Sequence, residues 1–565
     1  MVQRLLRLVN KEFTNVNQAA LLLGVFTFIS QLIGLVRDRL FAGQIGVELP
    51  LDIYYTAFRI PDIVFAVAAS LVSVTILAPF ILRYLNEGTI GRLQARVFLS
   101  NIFSVFIIFM IVLAGLLYLI MPMLAEIIAP TYEPDAIDQL VKLSRIMLLS
   151  PILLGLSGLL GSVTQVFRRF YMFALSPIMY NLGIIVGIVA LYPRWGLSGL
   201  AWGVVIGAAM HLVMQLPVII HKGMLPQFTI HCDWSLIKNV ISISVPRAMT
   251  LLLSQLTILI LVSIATRLPE GSVSIFNLSK NLQSVPYAII GVSYSVAAFP
   301  MLVDYFVRDD MENFVRMVVK PLRQIIFWSM PMLTLFIVLR AQIVRVILGT
   351  GKFDWNDTRL VAAALALFAI SIVAQGFVTL LVRGYHAAGQ TIRPLIINSF
   401  GLMLTIFSTG IFLMVFRNYP AIQGALASLL RIDSVTGVEV VLLPLAYSIG
   451  MITNALLLWF VFKREYMFAY GHMLHRTMYQ SIIASLGMGV TAYVVLALVG
   501  PLVNLNTGWG VFFQGFSAGI IGIVMGVAIL ALFKNAELLL LWKSFHTKFT
   551  QRTLIIGDGP EHMDS

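Results

Sequence analysis

The chain is short of charge. Asp, Glu, Lys and Arg make up 11% of its 565 residues, where a soluble globular protein carries about 25%. Apolar residues make up 59%, and the mean hydropathy is +0.94. This balance excludes an ordinary soluble architecture and leaves a polytopic helical membrane protein. Cysteine is nearly absent. Cys232 stands alone, which excludes an internal disulfide framework and any Cys-based metal cluster. No GxxxxGK[ST] loop is present, so the chain has no built-in ATPase of that kind. No HExxH pattern is present either. His472 and His475 form the nearest approach to a ligand pair, and they read as solvated loop histidines. No nucleophile–base pair stands out, so the chain reads as a transporter and not an enzyme, with no metal and no cofactor expected. The amino-terminal stretch MVQRLLRLVNKEFTN is basic and lacks a small-residue cleavage site, so it reads as a retained cytoplasmic end.

What is abundant is long apolar runs. A bilayer core needs about 20 apolar residues per helix, and lipid-facing backbone must satisfy its own hydrogen bonds, which favours helices. The runs are too long for barrel strands of about 10 residues. The expected spans lie at 17–36, 60–84, 97–121, 143–167, 171–192, 196–220, 237–265, 273–300, 322–348, 360–382, 394–416, 440–462, 478–500 and 511–533, fourteen in all. The net charge is +13. In this setting the cations point to cytoplasmic loops beside anionic lipid headgroups, and not to nucleic acid. Arg83, Arg92, Arg96, Arg168, Arg169, Lys463 and Arg464 cluster on alternate loops, whereas the loop after the third span carries Glu126, Glu133, Asp135 and Asp138. Both termini are therefore expected in the cytoplasm. Arg340, Arg345, Lys352 and Arg359, after the ninth span, run against this pattern.

The sequence repeats itself weakly. Ser30-Gln31-Leu32 returns as Ser254-Gln255-Leu256, Pro79 as Pro300 and Pro177 as Pro394, at a nearly constant offset. Each unit holds six spans, so both copies insert the same way round, as in transporters built from parallel repeats. The expected organisation is a six-helix bundle over 1–235, a second over 236–470, an added helix pair over 471–535 and a cytoplasmic amphipathic segment with tail over 536–565. Pro61, Pro79, Pro151, Pro246 and Pro286 lie within spans, where each removes a backbone hydrogen bond; a hinge and a static kink are both open.

Charges at membrane depth are costly there and face a cavity or each other. Arg37 and Asp38 close the first span, Arg59 and Asp62 open the second, Arg145 lies in the fourth, Arg247 in the seventh and Lys280 in the eighth. If the halves enclose a cavity, that cavity is cationic and suits an anion, because Arg offers a planar fork to phosphate oxygens. Other roles stay open: Arg37 with Asp38 and Arg59 with Asp62 as interface anchors, and Arg145 as a residue reaching the outer interface.

At these residues the chain resembles the MurJ/MviN family, the lipid II flippases of the multidrug/oligosaccharidyl-lipid/polysaccharide exporter superfamily. The resemblance rests on Ser30-Gln31-Leu32-Ile33-Gly34-Leu35-Val36-Arg37-Asp38, then Asp52, Tyr54 and Tyr55, then Ala57-Phe58-Arg59-Ile60-Pro61-Asp62 and Pro79. It continues through Gly271 to Leu282, Gly351-Lys352-Phe353 and Tyr385 to Thr391 before Arg393-Pro394, and covers about residues 15–535. The family surrounds its cavity with arginines for the lipid pyrophosphate. Arg37 is retained, but the other family arginines fall on Gln31, Phe65, Ala66 and Asn281, with Lys280 one residue before the last. The resemblance implies a bacterial inner-membrane flippase moving lipid II, or a related polyprenyl-pyrophosphate glycolipid, for peptidoglycan assembly. It implies alternating access, drive by membrane potential or an ion gradient, a lipid-tail groove at spans 13 and 14, and contact with cell-wall synthesis machinery. The expected headgroup site is Gln31, Arg37, Asp38, Arg59, Asp62, Arg145, Arg247, Lys280 and Asn281. A flippase for a capsule or O-antigen unit, a multidrug antiporter and a non-transporting scaffold remain the alternatives.

Overall fold

The computed structural model describes residues 16–85, 88–230, 233–433, 435–466 and 473–542. Cys232, His472 and the tail beyond 542 lie outside these. The described residues are helical throughout, without a strand, as a chain of long apolar runs requires when no water is available to its backbone. The chain is a multi-pass membrane protein. Twelve helices among the described residues are long and apolar enough to cross a bilayer, and thirteen if the bent pair Trp355–Ala369 and Ile372–Ala387 counts as one span. The expected fourteen included the span at 17–36, which falls on the 29-residue helix Val16–Gln44; that helix is not among the twelve.

Several spans are broken into shorter helices. The second expected span is part of a longer path, Leu49–Leu85, built of the pieces Leu49–Ala57, Arg59–Leu71 and Val74–Leu85. The pair at 355–387 bends by 43° across Ile370 and Ser371. The ninth expected span stops at Val338, and Arg340–Leu348 is a separate helix. Arg340 and Arg345, which ran against the loop-charge pattern, lie on that helix. Two short π-helical turns, Gly187–Leu191 and Ala288–Val292, interrupt other spans.

The chain divides into two compact units. One comprises residues up to Val285 with Ile347–Ser371 and Gly389–Asn454; the other comprises Pro286–Val346, Ile372–Ala388 and the residues from Ala455 on. In the first unit, Phe170–Val186 packs on Leu197–Val213 through glycines. Gly183 and Gly187 face Gly203 and Gly207, and a Cβ on Gly187 would come within 2.6 Å of the Gly203 Cα. Lipid supplies no hydrophobic drive between helices, so close backbone approach through small residues has to provide the attraction.

The second unit holds Met473–Val499 and Gly508–Leu532 against Met311–Val338. Phe327, Ala484 and Leu530 form an apolar cluster there, with Leu538 and Leu541 packed on it. Residues 536–542 are helical. Asn535 caps this helix, accepting from the Glu537 and Leu538 amides at 3.0 and 3.1 Å. Glu537 turns inward to Arg323 at 2.6 Å, and the Thr477 hydroxyl donates to the same carboxylate oxygen at 3.3 Å.

Candidate functional site

The first unit gathers most of the expected charges around one helix. Ser272–Tyr287 presents Ser274, Asn277, Lys280, Asn281 and Ser284, a spacing of three and four that aligns side chains along a helix. Its first turn is anchored by Asp52, which is 3% exposed. One Asp52 oxygen accepts from the Gly271 amide at 2.8 Å, and the other from the Ser274 amide at 2.7 Å and the Ser274 hydroxyl at 2.5 Å. A carboxylate at a helix N-terminus satisfies orphan amides and meets the positive end of the dipole. Gly271 has φ +86°, and a Cβ there would lie 2.6 Å from the Val47 carbonyl, so the turn requires glycine.

Further along, Asn277 and Asn281 each meet an ion pair. Arg59 is 7% exposed. It donates from Nε to the Tyr55 carbonyl at 3.1 Å and from Nη2 to the Asn277 carboxamide oxygen at 3.4 Å. Its Nη1 lies 3.7 Å from Asp62. Arg37 donates from Nε and Nη2 to one Asp38 oxygen at 3.0 and 2.8 Å, and from Nη1 to the Asn181 carboxamide oxygen at 2.9 Å. Asn181 donates to the Ser30 hydroxyl at 3.3 Å. The other Asp38 oxygen accepts from Asn281 at 3.1 Å. Lys280 is close enough for its charge to act on Arg59 and Asp62, yet among the described residues it makes no hydrogen bond. Three cations thus stand beside two carboxylates, Asp38 and Asp62, an excess of positive charge in a half-buried setting.

The structure therefore brings together Arg37, Asp38, Arg59, Asp62, Lys280 and Asn281. Gln31 is half-buried on the same helix as Arg37 and makes no hydrogen bond among the described residues. Arg145 is not drawn into this group. Its guanidinium lies 4.3 Å over the Tyr118 ring, and its Nε donates to the Tyr118 carbonyl at 3.0 Å. Arg247 belongs to the helix Trp234–Ala265, and its side chain lies outside the described residues. Sequence reasoning missed Asn181, Asn277 and Ser274 as partners. The signal was present for Asn277, one turn before Asn281. Asn181 was visible only as a lone carboxamide in an apolar run.

This arrangement is a built set of oriented guanidiniums, held by carboxylates and carboxamides, with the Lys280 ammonium beside them. It can hold an anion with several oxygens. The described residues contain no cluster of His, Cys, Asp and Glu able to hold a metal ion.

Known proteins agree with this outline. The family model described as lipid II flippase MurJ matches residues 41–513. A lipid II flippase MurJ from Burkholderia cenocepacia is 25% identical over 410 residues, covering 70% of this chain and 78% of that protein. A probable lipid II flippase MurJ from Thermotoga maritima is 26% identical over 376 residues, covering 65% and 73%. Among solved structures, a lipid II flippase MurJ in an inward closed conformation superposes with a TM-score of 0.71 at 21% identity, over 91% of this chain and 98% of that one. An inward-facing multidrug resistance MATE family transporter of the MOP superfamily superposes at 0.61 and 12% identity, over 78% and 95%. These two structural likenesses speak for the fold. The match over residues 41–513, together with the helical membrane architecture, shows that the chain belongs to the MurJ family, as a divergent member.

Proposed function

We propose that this protein flips the undecaprenyl-pyrophosphate-linked peptidoglycan precursor, lipid II, across the bacterial cytoplasmic membrane by alternating access. The observation that carries the reading is the excess of cations gathered from three helices, Arg37, Arg59 and Lys280 beside Asp38 and Asp62, in a chain of this family. A pyrophosphate has oxygens enough to bridge two guanidiniums, and a charge-assisted hydrogen bond is about twice as strong as a neutral one. The anion would displace Asn181 and Asn277 from Arg37 and Arg59 and take the ammonium of Lys280. The halves over 1–235 and 236–470 then exchange access while the polyprenyl tail stays in lipid, with the helix pair over 471–535 as its groove. In the absence of a nucleotide-binding loop, membrane potential or an ion gradient supplies the drive. One charge crossing 100 mV gains about 2.3 kcal/mol. Both termini sit in the cytoplasm in this reading.

The test is an exposure assay in bacteria depleted of their own flippase and expressing this chain, in which an added enzyme cleaves only outward-facing lipid II. Restored cleavage that falls at least tenfold in Lys280→Ala supports the assignment. No cleavage by wild-type protein that is inserted and abundant overturns lipid II as substrate. It would favour the second reading, a flippase for another polyprenyl-linked saccharide. One observation already points that way: Gln31, Phe65, Ala66 and Asn281 stand where the family resemblance leads one to expect arginines. A multidrug antiporter would need an acidic site for cationic drugs, and this one carries excess positive charge.

A further inference from the structure

A separate shallow, open depression of about 400 Å³ lies on the surface of the first unit, lined by Lys142, Ile146, Trp195, Ser198 and Trp202. None of these residues takes part in the cation cluster described above. Lys142 and Ile146 are one turn apart on Pro134–Met147, and Ser198 and Trp202 are one turn apart on Leu197–Val213. The two helices pack on each other, so these pairs form the two walls. Trp195, which is 58% exposed, ends the preceding span.

The walls are graded. On each helix the polar residue comes first and the apolar residue one turn later, Lys142 before Ile146 and Ser198 before Trp202. Each helix begins a membrane span, Pro134–Val166 and Leu197–His221, and with the one span Phe170–Trp195 between them the two run in the same direction. The ammonium and hydroxyl therefore sit nearer the membrane surface, with the apolar floor deeper. Lys142 is exposed and has no ion pair or hydrogen bond among the described residues. Tryptophans at span ends hold the headgroup level, and a lysine stem can lie along apolar surface while its charge stays at the interface.

We propose that this depression is a binding site for a bilayer phospholipid with an anionic headgroup. Its phosphodiester is held by the Lys142 ammonium and the Ser198 hydroxyl, its glycerol lies under Trp195, and its first acyl carbons lie on Ile146 and Trp202. The polar-above-apolar order of the lining matches a phospholipid from phosphate to chain. A free phosphate would leave the apolar floor unused, and a purely apolar guest would leave the ammonium unpaired. The site belongs to the leaflet in which Pro134–Met147 and Leu197–Val213 begin, and it does not depend on which glycolipid is transported.

The experiment uses the full-length protein in detergent, with native mass spectrometry after addition of phosphatidylglycerol or phosphatidylcholine. Wild-type protein is expected to retain one phosphatidylglycerol in preference to phosphatidylcholine. Lys142→Gln should lower phosphatidylglycerol retention about fivefold and abolish the preference, because the ammonium pairs with a phosphate charge that the glycerol headgroup leaves uncompensated, whereas the choline ammonium of phosphatidylcholine already offsets its own phosphate. Trp202→Ala should lower retention of both lipids. Should that variant fail to fold, Trp195→Ala takes its place, since its ring is mostly exposed. Unchanged phosphatidylglycerol retention in Lys142→Gln overturns the proposal. So does equal retention of the two lipids by wild type. Displacement of the bound lipid by millimolar inorganic phosphate would also overturn it, by revealing a simple anion site.

Discussion

Replacing Arg323 by alanine should release the carboxyl-terminal helix from the second unit. Glu537 is 1% exposed, and its carboxylate has three described donors: Nε and Nη2 of Arg323, each at 2.6 Å, and the Thr477 hydroxyl at 3.3 Å. Its second oxygen has no hydrogen-bond partner among the described residues. With Arg323 gone, the carboxylate keeps only the hydroxyl contact. Breaking a buried pair by removing one partner costs about 3–5 kcal/mol, because the other charge stays buried and uncompensated. The helix over 536–542 can avoid that cost by leaving, opposed among the described residues by the Asn535 cap, the Asn535 carboxamide bond to Gln480 and the packing of Leu538 and Leu541. Local opening should therefore rise by at least about 100-fold, given about 1.4 kcal/mol per factor of ten. Hydrogen exchange at the Glu537 and Leu538 amides, both bonded to Asn535, reads this directly. The double variant Arg323→Met with Glu537→Leu removes both charges and should recover most of the protection. Refutation would be an Arg323→Ala variant whose amides exchange at the wild-type rate, or a double variant as fast as the single one. Either result would mean that the apolar cluster, and not the ion pair, holds the helix.

Three further outcomes follow from named contacts. Asp52→Ala removes the acceptor of two backbone amides and one hydroxyl. At about 1.5–3 kcal/mol per charged hydrogen bond, exchange at Gly271 and Ser274 should accelerate by roughly 100-fold or more, and unchanged protection would remove Asp52 as the anchor of that helix. Gly203→Leu forces a side chain against the Gly187 backbone, whereas a Cβ on Gly115 would meet nothing within 4 Å; only the first change should lower the melting temperature and the yield of monodisperse protein, and equal behaviour of Gly203→Leu and Gly115→Leu would deny the close packing. Asp310 caps Met311–Val338 through the Asn313 amide and carboxamide, at 3.1 and 2.7 Å, which holds its carboxyl below the ordinary range. A depressed value means that this contribution is complete above the unfolded pKa, about 3.9, and is lost as pH falls through the folded value; Asp310→Ala should remove the acid-dependent part of protection in the first turn, and identical pH profiles would show that the cap contributes nothing.

The spans could be read from the chain because their signal is one-dimensional: the length of an apolar run decides whether it can cross a bilayer. Thus Phe170–Trp195, Leu197–His221 and Gly508–Leu532 lie within a few residues of expectation. The breaks were not readable. Val72 and Ile370 are apolar residues in largely apolar runs, and hydropathy does not mark where these spans bend. The glycine spacing at 183, 187, 199, 203 and 207 was present in the sequence and specifies a helix pair that hydropathy does not show. Among the charges, depth along a span was readable and direction was not. Arg145, left open as a cavity cation or a residue reaching the outer interface, stacks on Tyr118, whereas Lys280 stands where its charge acts on Arg59 and Asp62.

The partners of the two arginines bear on how a site can be ready for an anion when none is present. A guanidinium at membrane depth must be paired, but a carboxylate on every N–H would leave nothing for a ligand to gain. Here each arginine has one carboxylate neighbour and one carboxamide: Asp38 and Asn181 for Arg37, Asp62 and Asn277 for Arg59. The carboxamides satisfy and orient the forks without neutralising them. An incoming phosphate oxygen therefore exchanges a neutral acceptor for a charged one and gains the difference, with the fork already aligned. Asn277 and Asn281 share one helix face with Lys280, and Asp52 fixes that helix at its first turn. In the proposed cycle, binding would loosen the Asn277 contact to Arg59 while adding a charged contact to Lys280 on the same helix. Transport by Asn277→Ala isolates this exchange. If the carboxamide only holds the arginine in place, its loss lowers transport at every substrate level. If it is displaced by the anion, its loss weakens the competing contact, and transport at low substrate should hold or rise.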